Sequence, residues 1–472
     1  MNRLLPAILL ALAACARLPT DLPPRPDLEA PATAATFARL AGESDRGGVA
    51  AVAECWWESF GLADLDRLID RALKNHPDLA AAQARLVMAE QTERLARLQS
   101  QVNYASDASL VREHLSRNGL FPPPIGGSTL TQTDVTQNIY YDLDWWGKNR
   151  ALVLAAGNAA EAARDEAAAV RLALAAAVAD AYFAWADVAA RLALARELEN
   201  RHRCEAALAQ TRFDLGLDAA SPLIEARKKL DLDEDRIRAL EYLDRAGRYR
   251  LAALAGDDPD HAAALVVPSL DGRLADLPDK LPLDWLARRP EVAALRARVA
   301  AGAARSQAAR ADFYPNIDLR LMLGLETLDL GKLLQAGSLS ASLGPAIHLP
   351  LFNGSTLSAK LRLQEADYAA AVADYNRAVI DGAAEAASAY ALLVSLEQRA
   401  RAQEQAAREA RRTFDLARRR QELGLAAALD GLEADAALLS LRLDQTANRA
   451  ALLRARVRLF KALGGGIADS KG

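Results

Sequence analysis

Leu215-Gly216-Leu217 recurs as Leu423-Gly424-Leu425, 208 positions further along a chain of 472 residues. Ala181-Tyr182 recurs as Ala389-Tyr390 at the same offset. Solenoid repeats are about 20–50 residues long, so a period of about 200 residues indicates a duplicated domain instead. Two copies of one structural plan are therefore expected, and each glycine marks the tip of its copy.

Both copies are predicted to contain the same elements in the same order: a helix, two strands, a very long helix, the glycine tip and a return helix. The first copy spans 56–256, and within it residues 102–146 lose the helical stripe and alternate in polar and apolar types, which predicts a β-hairpin. The second copy spans 282–464 and has its hairpin at 315–352. A connector rich in Asp and Pro, 257–281, joins the copies.

The long helix of the first copy is predicted to be unusually long. Leu152–Leu215 contains no proline, and Gly157 is its one glycine before the tip, so nothing in it ends a helix. Its roughly 64 residues extend on the order of 95 Å at about 1.5 Å per residue. The second copy repeats the pattern from about Leu357 to Leu423. The return helices are about half as long. A return helix and an N-terminal helix laid end to end would match one long helix in length, which predicts a wall of paired antiparallel helices.

The N-terminus has the features of a bacterial export signal. Residues 1–14 combine a short basic start, an apolar core too short to span a bilayer and a small-residue cleavage site. Leu12-Ala13-Ala14-Cys15 resembles a lipobox, which implies cleavage before Cys15 and acylation of that residue, for example by palmitate. Ala16 stands where Asp would favour inner-membrane retention, so the outer membrane is favoured. An ordinary cleavage site with an incidental cysteine is the alternative.

The two ends of the mature chain are expected to lie outside the folded body, which begins near Trp56-Trp57. Residues 15–55 are predicted to be a lipidated tether, extended near its start because four prolines lie between Leu18 and Pro26. Residues 465–472 are predicted to be a flexible tail.

The composition argues against several classes of function. The formal net charge of −4 is slight and offers no footprint for a nucleic acid. The five histidines lack the spacing of metal ligands, and no catalytic or cofactor motif is found, so no enzyme, cofactor or metal site is predicted. The most apolar stretch after the N-terminus, Ala167–Trp185, carries Arg171 and Asp180, so a membrane-spanning helix is not expected.

The predicted strands lead to a membrane argument. Two hairpins cannot close a barrel, and open strand edges are not viable in lipid, so several chains must pool their strands. Strands of about 11–15 residues are long enough to cross a bilayer at the usual tilt. Aromatic residues at the end of the second strand are expected at the membrane boundary. They are Tyr140, Tyr141, Trp145 and Trp146. A role in capping a soluble core is the alternative for this group.

Five short motifs occur in order along the chain. They are Trp56-Trp57-Glu58-Ser59-Phe60, Asp142-Leu143-Asp144-Trp145-Trp146-Gly147, Leu286-Ala287-Arg288-Arg289-Pro290-Glu291-Val292, Phe313-Tyr314-Pro315-Asn316-Ile317 and Leu349-Pro350-Leu351-Phe352-Asn353-Gly354. In this order they resemble the outer membrane efflux factor family, the TolC-like proteins, and most closely its lipoprotein branch, the NodT type. The resemblance covers about residues 56–464.

The resemblance implies a mainly α fold with membrane β: duplicated long-helix hairpins form an α-barrel tunnel, and four strands per chain enter a twelve-stranded β-barrel of a homotrimer. It implies the exit duct of a tripartite efflux system, which passes small molecules such as drugs passively. Partners would be outer membrane lipid, a periplasmic adaptor and an inner-membrane transporter. The alternative is a pore-less periplasmic coiled-coil lipoprotein, structural or adaptor-like, although no lipoyl-like domain is evident.

The resemblance also implies roles at the two tips and at a gate. In the family, an Arg four residues before the tip glycine and an apolar residue after it meet the adaptor. The matching residues are Arg212, Gly216 and Leu217 in the first copy, and Arg420, Gly424 and Leu425 in the second. Carboxylates six and nine residues after the second glycine are implied to form the periplasmic gate, and these are Asp430 and Glu433. A solvated helix face is the alternative for this pair.

Overall fold

The structure is a computed structural model of the 472-residue chain. It describes residues 18–22, 24–28, 55–273, 286, 288–425 and 427–465. The predicted signal peptide, Cys15, most of the tether, the connector from 274 onward and the tail beyond 465 lie outside the described residues.

The chain divides into two compact units. The described residues of unit 1 fall within Met1–Leu28, Ala84–Arg164 and Ala294–Asn376. Those of unit 2 fall within Glu29–Gln83, Asp165–Ala293 and Arg377–Gly472. Both units therefore take residues from both copies of the duplicated plan.

The elements follow the order expected of a duplication, after a short 3₁₀ helix at Trp56–Phe60. The first copy contains α1 (Ala63–Asn75), α2 (Pro77–Gln99), β1 (Asn103–His114), β2 (Thr129–Asp142), α3 (Lys148–Asp214) and α4 (Ala220–Leu254). The second contains α5 (Pro290–Ala311), β3 (Asn316–Thr327), β4 (Leu339–His348), α6 (Gly354–Glu422) and α7 (Ala428–Ala462). The predicted fold class, mainly α with long-helix hairpins and a few antiparallel strands, is confirmed.

The first long helix begins earlier than its apolar pattern indicates. We predicted a start at Leu152, whereas α3 begins at Lys148. The reason is a cap, because the Asp144 carboxylate accepts hydrogen bonds from the backbone N–H of Asn149 at 2.8 Å and of Arg150 at 3.0 Å. These N–H groups lack a partner inside the first turn of the helix.

The four strands form one antiparallel sheet in unit 1, in the order β1-β2-β3-β4. Strands β2 and β3 come from different copies, and they pair from Thr133 opposite Thr327 to Asp142 opposite Asp318. The two hairpins are thus joined into one surface. Among the described strands, β1 and β4 each have a neighbour on one side, so this sheet has two open edges.

Unit 2 contains an aromatic core. Trp56, Phe60 and Phe183 are 2%, 1% and 0% exposed, and the rings of Phe60 and Phe183 have centroids 5.1 Å apart. Trp185 belongs to the same core, and it lies so close to α4 that a Cβ at Gly247 would meet its side chain at 3.1 Å. The close contact of α3 with α4 therefore depends on glycine at position 247.

Two of the described helices, α3 and α6, contain an 18-residue window apolar enough to cross a membrane by length and composition. About half of each window, 50% in α3 and 44% in α6, is buried within the chain. In α3 the apolar residues include Ala175, Val178 and Ala179, which are fully buried in the aromatic core. This part of α3 is therefore a core-packing surface.

Candidate functional site

The sheet of unit 1 has one mainly apolar face and one mainly polar face. Side chains alternate along a strand, and residues directly paired across an antiparallel sheet share a face. The apolar face includes Tyr104, Ala108, Leu110, Val135, Ile139, Tyr141, Ile317, Leu319, Leu321, Leu323, Leu325, Leu339, Ala341, Leu343 and Ile347. The polar face includes Asp107, Ser109, Gln132, Asp134, Asn138, Asp142, Asp318, Arg320, Glu326, Ser340, Ser342 and His348. This division is typical of a barrel with lipid outside and water inside.

The apolar face is exposed in a single chain. Leu323 and Leu343 on this face are 48% and 71% exposed. The amide of Gln137, which lies on the same face, has partners there: its side-chain oxygen accepts hydrogen bonds from the Ser106 hydroxyl at 2.7 Å and from the Tyr104 hydroxyl. A contiguous apolar surface of this kind suits contact with lipid hydrocarbon.

The polar face is connected by side-chain hydrogen bonds. The Asp134 carboxylate accepts hydrogen bonds from the Ser109 hydroxyl at 3.2 Å and from the Gln132 amide at 3.1 Å. The Asn138 amide donates to the Asp107 carboxylate at 3.0 Å. Carboxylates outnumber basic groups on this face. A water-filled interior lined by it would therefore favour cations over anions.

No metal site is present among the residues that the structure describes, since no group of three or more His, Cys, Asp or Glu side chains is arranged to hold an ion. His202 Nδ1 lies 2.5 Å from an Asp233 carboxylate oxygen. His348 Nε2 lies 3.1 Å from an Asp318 carboxylate oxygen and 2.9 Å from the Arg320 guanidinium. Both histidines thus serve hydrogen-bonded pairs within the fold.

The four aromatic residues predicted at the membrane boundary lie at and just after the end of β2. Tyr141 is on the apolar face and Tyr140 on the polar face, because neighbours in a strand point to opposite sides. Trp145 is 69% exposed. Trp146 stacks on Tyr314 with ring centroids 4.5 Å apart. Tyr141 and Trp145 are therefore available to the surroundings, whereas Trp146 is partly used in packing.

The two tips have the same backbone geometry. In the first tip, the Gly216 N–H donates to the Phe213 carbonyl at 2.9 Å, and the Leu217 N–H donates to the Arg212 carbonyl at 2.9 Å. The second tip makes the same two bonds, at 2.9 and 2.8 Å. This is the Schellman motif, whose left-handed position favours glycine, and Gly216 and Gly424 have φ of 69° and 70°.

The side chains of the two tips differ. The Arg212 guanidinium donates to both carboxylate oxygens of Asp218, at 2.6 and 3.0 Å, and these hydrogen bonds lower the pKa of Asp218. The equivalent residue of the second copy is Ala426. Arg420 is exposed and has no ion pair or side-chain hydrogen bond among the described residues. The first tip thus neutralises its own arginine, and the second does not.

The two predicted gate residues lie close to the start of α7. Asp430 and Glu433 are three residues apart on one side of this helix and both are exposed. Neither carboxylate has an ion-pair partner in the described part of the chain. The first copy has Pro222 at the first equivalent position and Glu225 at the second; Lys228 Nζ lies 2.7 Å from the Glu225 carboxylate, and this hydrogen bond lowers the pKa of Glu225. Unpaired carboxylates at these positions are thus a feature of the second copy.

Comparison with known proteins finds similarity along both copies. A sequence model of the outer membrane efflux protein family matches residues 68–257 and 281–465. The chain is 34% identical over 360 residues to the fusaric acid resistance protein FusA of Burkholderia cepacia, which is 75% of this chain and 67% of FusA. It is 29% identical over 419 residues to the multidrug resistance outer membrane protein MdtP of Escherichia coli strain K12, which is 87% of this chain and 86% of MdtP.

A solved structure shows the same fold. The outer membrane protein VceC of Vibrio cholerae superposes with a TM-score of 0.80 at 30% sequence identity. The superposition covers 89% of this chain and 100% of the VceC chain. The likeness therefore includes the strands as well as the long helices.

Proposed function

Because this chain belongs to the outer membrane efflux protein family, we propose that it is the exit duct of a tripartite efflux system. The protein is an outer membrane efflux channel with a TolC-like fold, and its family consists of transport channels rather than enzymes. Passage through it is passive, and energy comes from the inner-membrane partner.

The observation that carries the proposal is the amphipathic, open-edged sheet of unit 1. Its apolar face suits lipid, its polar face suits water, and β1 and β4 leave edges that lipid does not tolerate. A homotrimer removes these edges when β4 of one chain pairs with β1 of the next. The resulting twelve strands fall within the range of about 8–26 found in outer membrane barrels.

The pore-less coiled-coil alternative gains no support from the sheet. A structural lipoprotein in the periplasm would place this sheet in water, where an apolar face with Leu343 71% exposed is unfavourable. The same face is expected of a chain whose strands enter a bilayer.

Native mass spectrometry and planar-bilayer recording of protein extracted from outer membranes test the duct directly. The expected result is a trimer that conducts ions steadily, because twelve strands close around a polar lumen. A monomer or dimer without conductance would contradict the proposal, since four strands alone leave open edges.

Cys15 lies outside the described residues, and we propose that it carries the lipid anchor. Its support is the small-residue site Leu12-Ala13-Ala14 before it. The same mass spectrum is expected to show subunits that begin at Cys15 and carry acyl mass. The protein would then be anchored to the outer membrane by lipid as well as by its barrel, with its helices extending into the periplasm.

The descriptions of two relatives support a proposal for the cargo and the partners of this channel. MdtP is described as a multidrug resistance outer membrane protein and FusA as a fusaric acid resistance protein. Small organic molecules are therefore the proposed cargo. A periplasmic adaptor would meet the two tips, and the adaptor would connect the duct to an inner-membrane transporter.

Asp430 and Glu433 are proposed to form the periplasmic gate. In a trimer, three copies of both carboxylates would surround one axis. Such a ring attracts cations and shapes the selectivity of the narrow end. Support comes from the absence of ion-pair partners for both carboxylates within the described chain, because a paired carboxylate would contribute little field.

The tips are expected to contribute unequally to adaptor binding. Arg420→Ala should slow efflux of a fluorescent dye by roughly tenfold, because an unpaired guanidinium can form charge-assisted hydrogen bonds with a partner. Arg212→Ala is expected to have a much smaller effect, because Arg212 is already bonded to Asp218. Dye accumulation in cells carrying each variant at equal trimer levels measures this difference. Equal effects of the two substitutions would contradict it.

A further inference from the structure

The described residues 18–22 and 24–28, here named the strap, lie along α6 in unit 1. The Asp21 carboxylate accepts a hydrogen bond from the Arg362 guanidinium at 2.6 Å, and the Asp27 carbonyl accepts one from the Asn376 amide at 3.1 Å. Arg362 and Asn376 are about 21 Å apart at the rise of an α-helix. Asp21 and Asp27 span about 20 Å when extended. The strap therefore runs extended along the helix.

Arg25 of the strap reaches a buried polar cluster on α5 and α6. The cluster contains Glu365, 4% exposed, and Ser306, 0% exposed. The Glu365 carboxylate accepts hydrogen bonds from Arg25 at 3.3 Å through both Nε and Nη2, from the Ser306 hydroxyl at 2.7 Å and from Arg310 at 2.6 Å. Arg25 also donates to Ser306 Oγ at 2.9 Å, and its guanidinium lies 5.0 Å from the centroid of the Tyr368 ring.

Leu22 adds an apolar contact to these polar ones. It packs against the cluster formed by Ala309, Phe313, Leu357 and Leu361. The strap is thus held at Asp21, Leu22, Arg25 and Asp27, by contacts on two helices of unit 1. These contacts with the two helices hold the strap in place.

Hydrogen bonds stabilise the negative charge of Glu365. Burial alone would raise the pKa of this carboxyl, but hydrogen bonds from Ser306, Arg25 and Arg310 outweigh burial and lower its pKa to about 2. A carboxyl with a lowered pKa stabilises the fold above its ordinary pKa near 4.5, and that contribution is lost as the pH falls towards 2. Glu365 is therefore ionised at neutral pH.

We propose that Glu365, with Ser306 and Arg310, is a clasp that holds Arg25 and so fixes the point at which the N-terminal tether leaves the body. Its consequence for the lipid anchor rests on the proposed acylation of Cys15. Cys15 lies six residues before Asp21, a reach of about 20 Å. Gly354, where α6 begins, is about 12 Å from Arg362. With the clasp closed, acyl chains on Cys15 stay within reach of the sheet end of α6.

An open clasp would remove this restriction. The next described residue after the strap is Cys55, 40 residues after Cys15, and a chain of that length reaches on the order of 140 Å. The free chain between Cys15 and its nearest contact with the body is thus short when the clasp is closed and long when it is open. The strap is in this view a spacer that sets the height of the lipid anchor relative to the barrel.

The clasp can be tested by thiol labelling of Leu22→Cys in the full-length trimer, with Cys55 and Cys204 replaced by Ser. Leu22 is half-buried against the cluster on α5 and α6, so a maleimide should react faster with a thiol at position 22 when the strap is open, and the labelling rate should rise with the open fraction. Arg25→Ala is expected to raise the rate roughly tenfold, the effect of losing a charge-assisted hydrogen bond. Glu365→Gln should raise it in the same direction. Peptide mass spectrometry locates the label.

Arg305→Ala is the matched control. Arg305 forms an exposed ion pair with Asp367, at 2.9 Å, between the same two helices, and neither residue is hydrogen-bonded or ion-paired to the described strap residues. Its loss should leave the labelling rate unchanged. Unchanged labelling in Arg25→Ala, a variant that alters only the strap, would overturn the clasp; so would equal acceleration by Arg305→Ala. The same digest shows whether Cys15 carries acyl chains or label, so failure of the lipid anchor is distinguished from failure of the clasp.

Discussion

Leu321→Arg is expected to remove most of the channel from the outer membrane. Leu321 lies at the middle of β3 on the apolar face, directly opposite Ile139 and Leu343. An arginine that faces lipid at mid-bilayer costs about 2–4 kcal/mol in a membrane barrel, and a homotrimer would carry it three times. We expect the amount of trimer in purified outer membranes to fall at least about tenfold, as measured by semi-native electrophoresis.

Met322→Arg is the matched control, because the adjacent side chain points to the other face. Its direct neighbours across the sheet are Asn138 and Ser342. An arginine there meets water and the carboxylates of the polar face, so trimer is expected at close to the wild-type amount. Equal loss of trimer in both variants, or tolerance of Leu321→Arg, would show that the faces are assigned wrongly.

The double variant Asp430→Ala with Glu433→Ala is expected to raise single-channel conductance and to lower the preference for cations. Alanine side chains would widen the proposed constriction, and a homotrimer would lose six carboxylates from it. Two unit charges about 4 Å apart attract by about 1 kcal/mol even in bulk water. A tenfold change in permeability ratio needs about 1.4 kcal/mol. We therefore expect the cation-to-anion permeability ratio to fall by about tenfold, measured from reversal potentials in a salt gradient.

Glu225→Ala provides the control for this measurement within the same chain. Glu225 holds the equivalent position of the first copy, where Lys228 neutralises it. Its removal should change neither conductance nor selectivity by much. Unchanged conductance and selectivity in the double variant would remove the gate assignment for Asp430 and Glu433.

Features set by short-range chemistry could be predicted from the sequence. The tips at Gly216 and Gly424 follow from the need for glycine at a left-handed helix end, and the long helices follow from the absence of proline. The early start of α3 was missed because the apolar stripe does not report a cap, although Asp144 before the helix is a residue type that caps.

Features set by contacts between distant residues could not be predicted. The opposite orientation of Tyr140 and Tyr141 follows from strand alternation, but the face that each occupies depends on register with β3. The pairing of Arg25 with Glu365 joins residues 340 positions apart and leaves no periodic trace in the sequence. The Arg212–Asp218 pair was also missed. The repeat offset aligns Asp218 with Ala426, so a comparison of the two tips would have shown that only the first has a carboxylate there.

The chemical difference between the two tips would determine the symmetry of the surface that the duct presents to a docking partner. Two identical tips per chain would give a homotrimer a ring of six equal docking points. Because Arg212 is neutralised by Asp218 and Arg420 has no ion-pair partner among the described residues, the proposed ring would alternate between two chemistries and have threefold symmetry. A partner ring of six identical subunits must then bind in two modes, whereas a ring of three can use one. In the proposed homotrimer, the two halves of the duplicated chain would thus divide the work of docking between them.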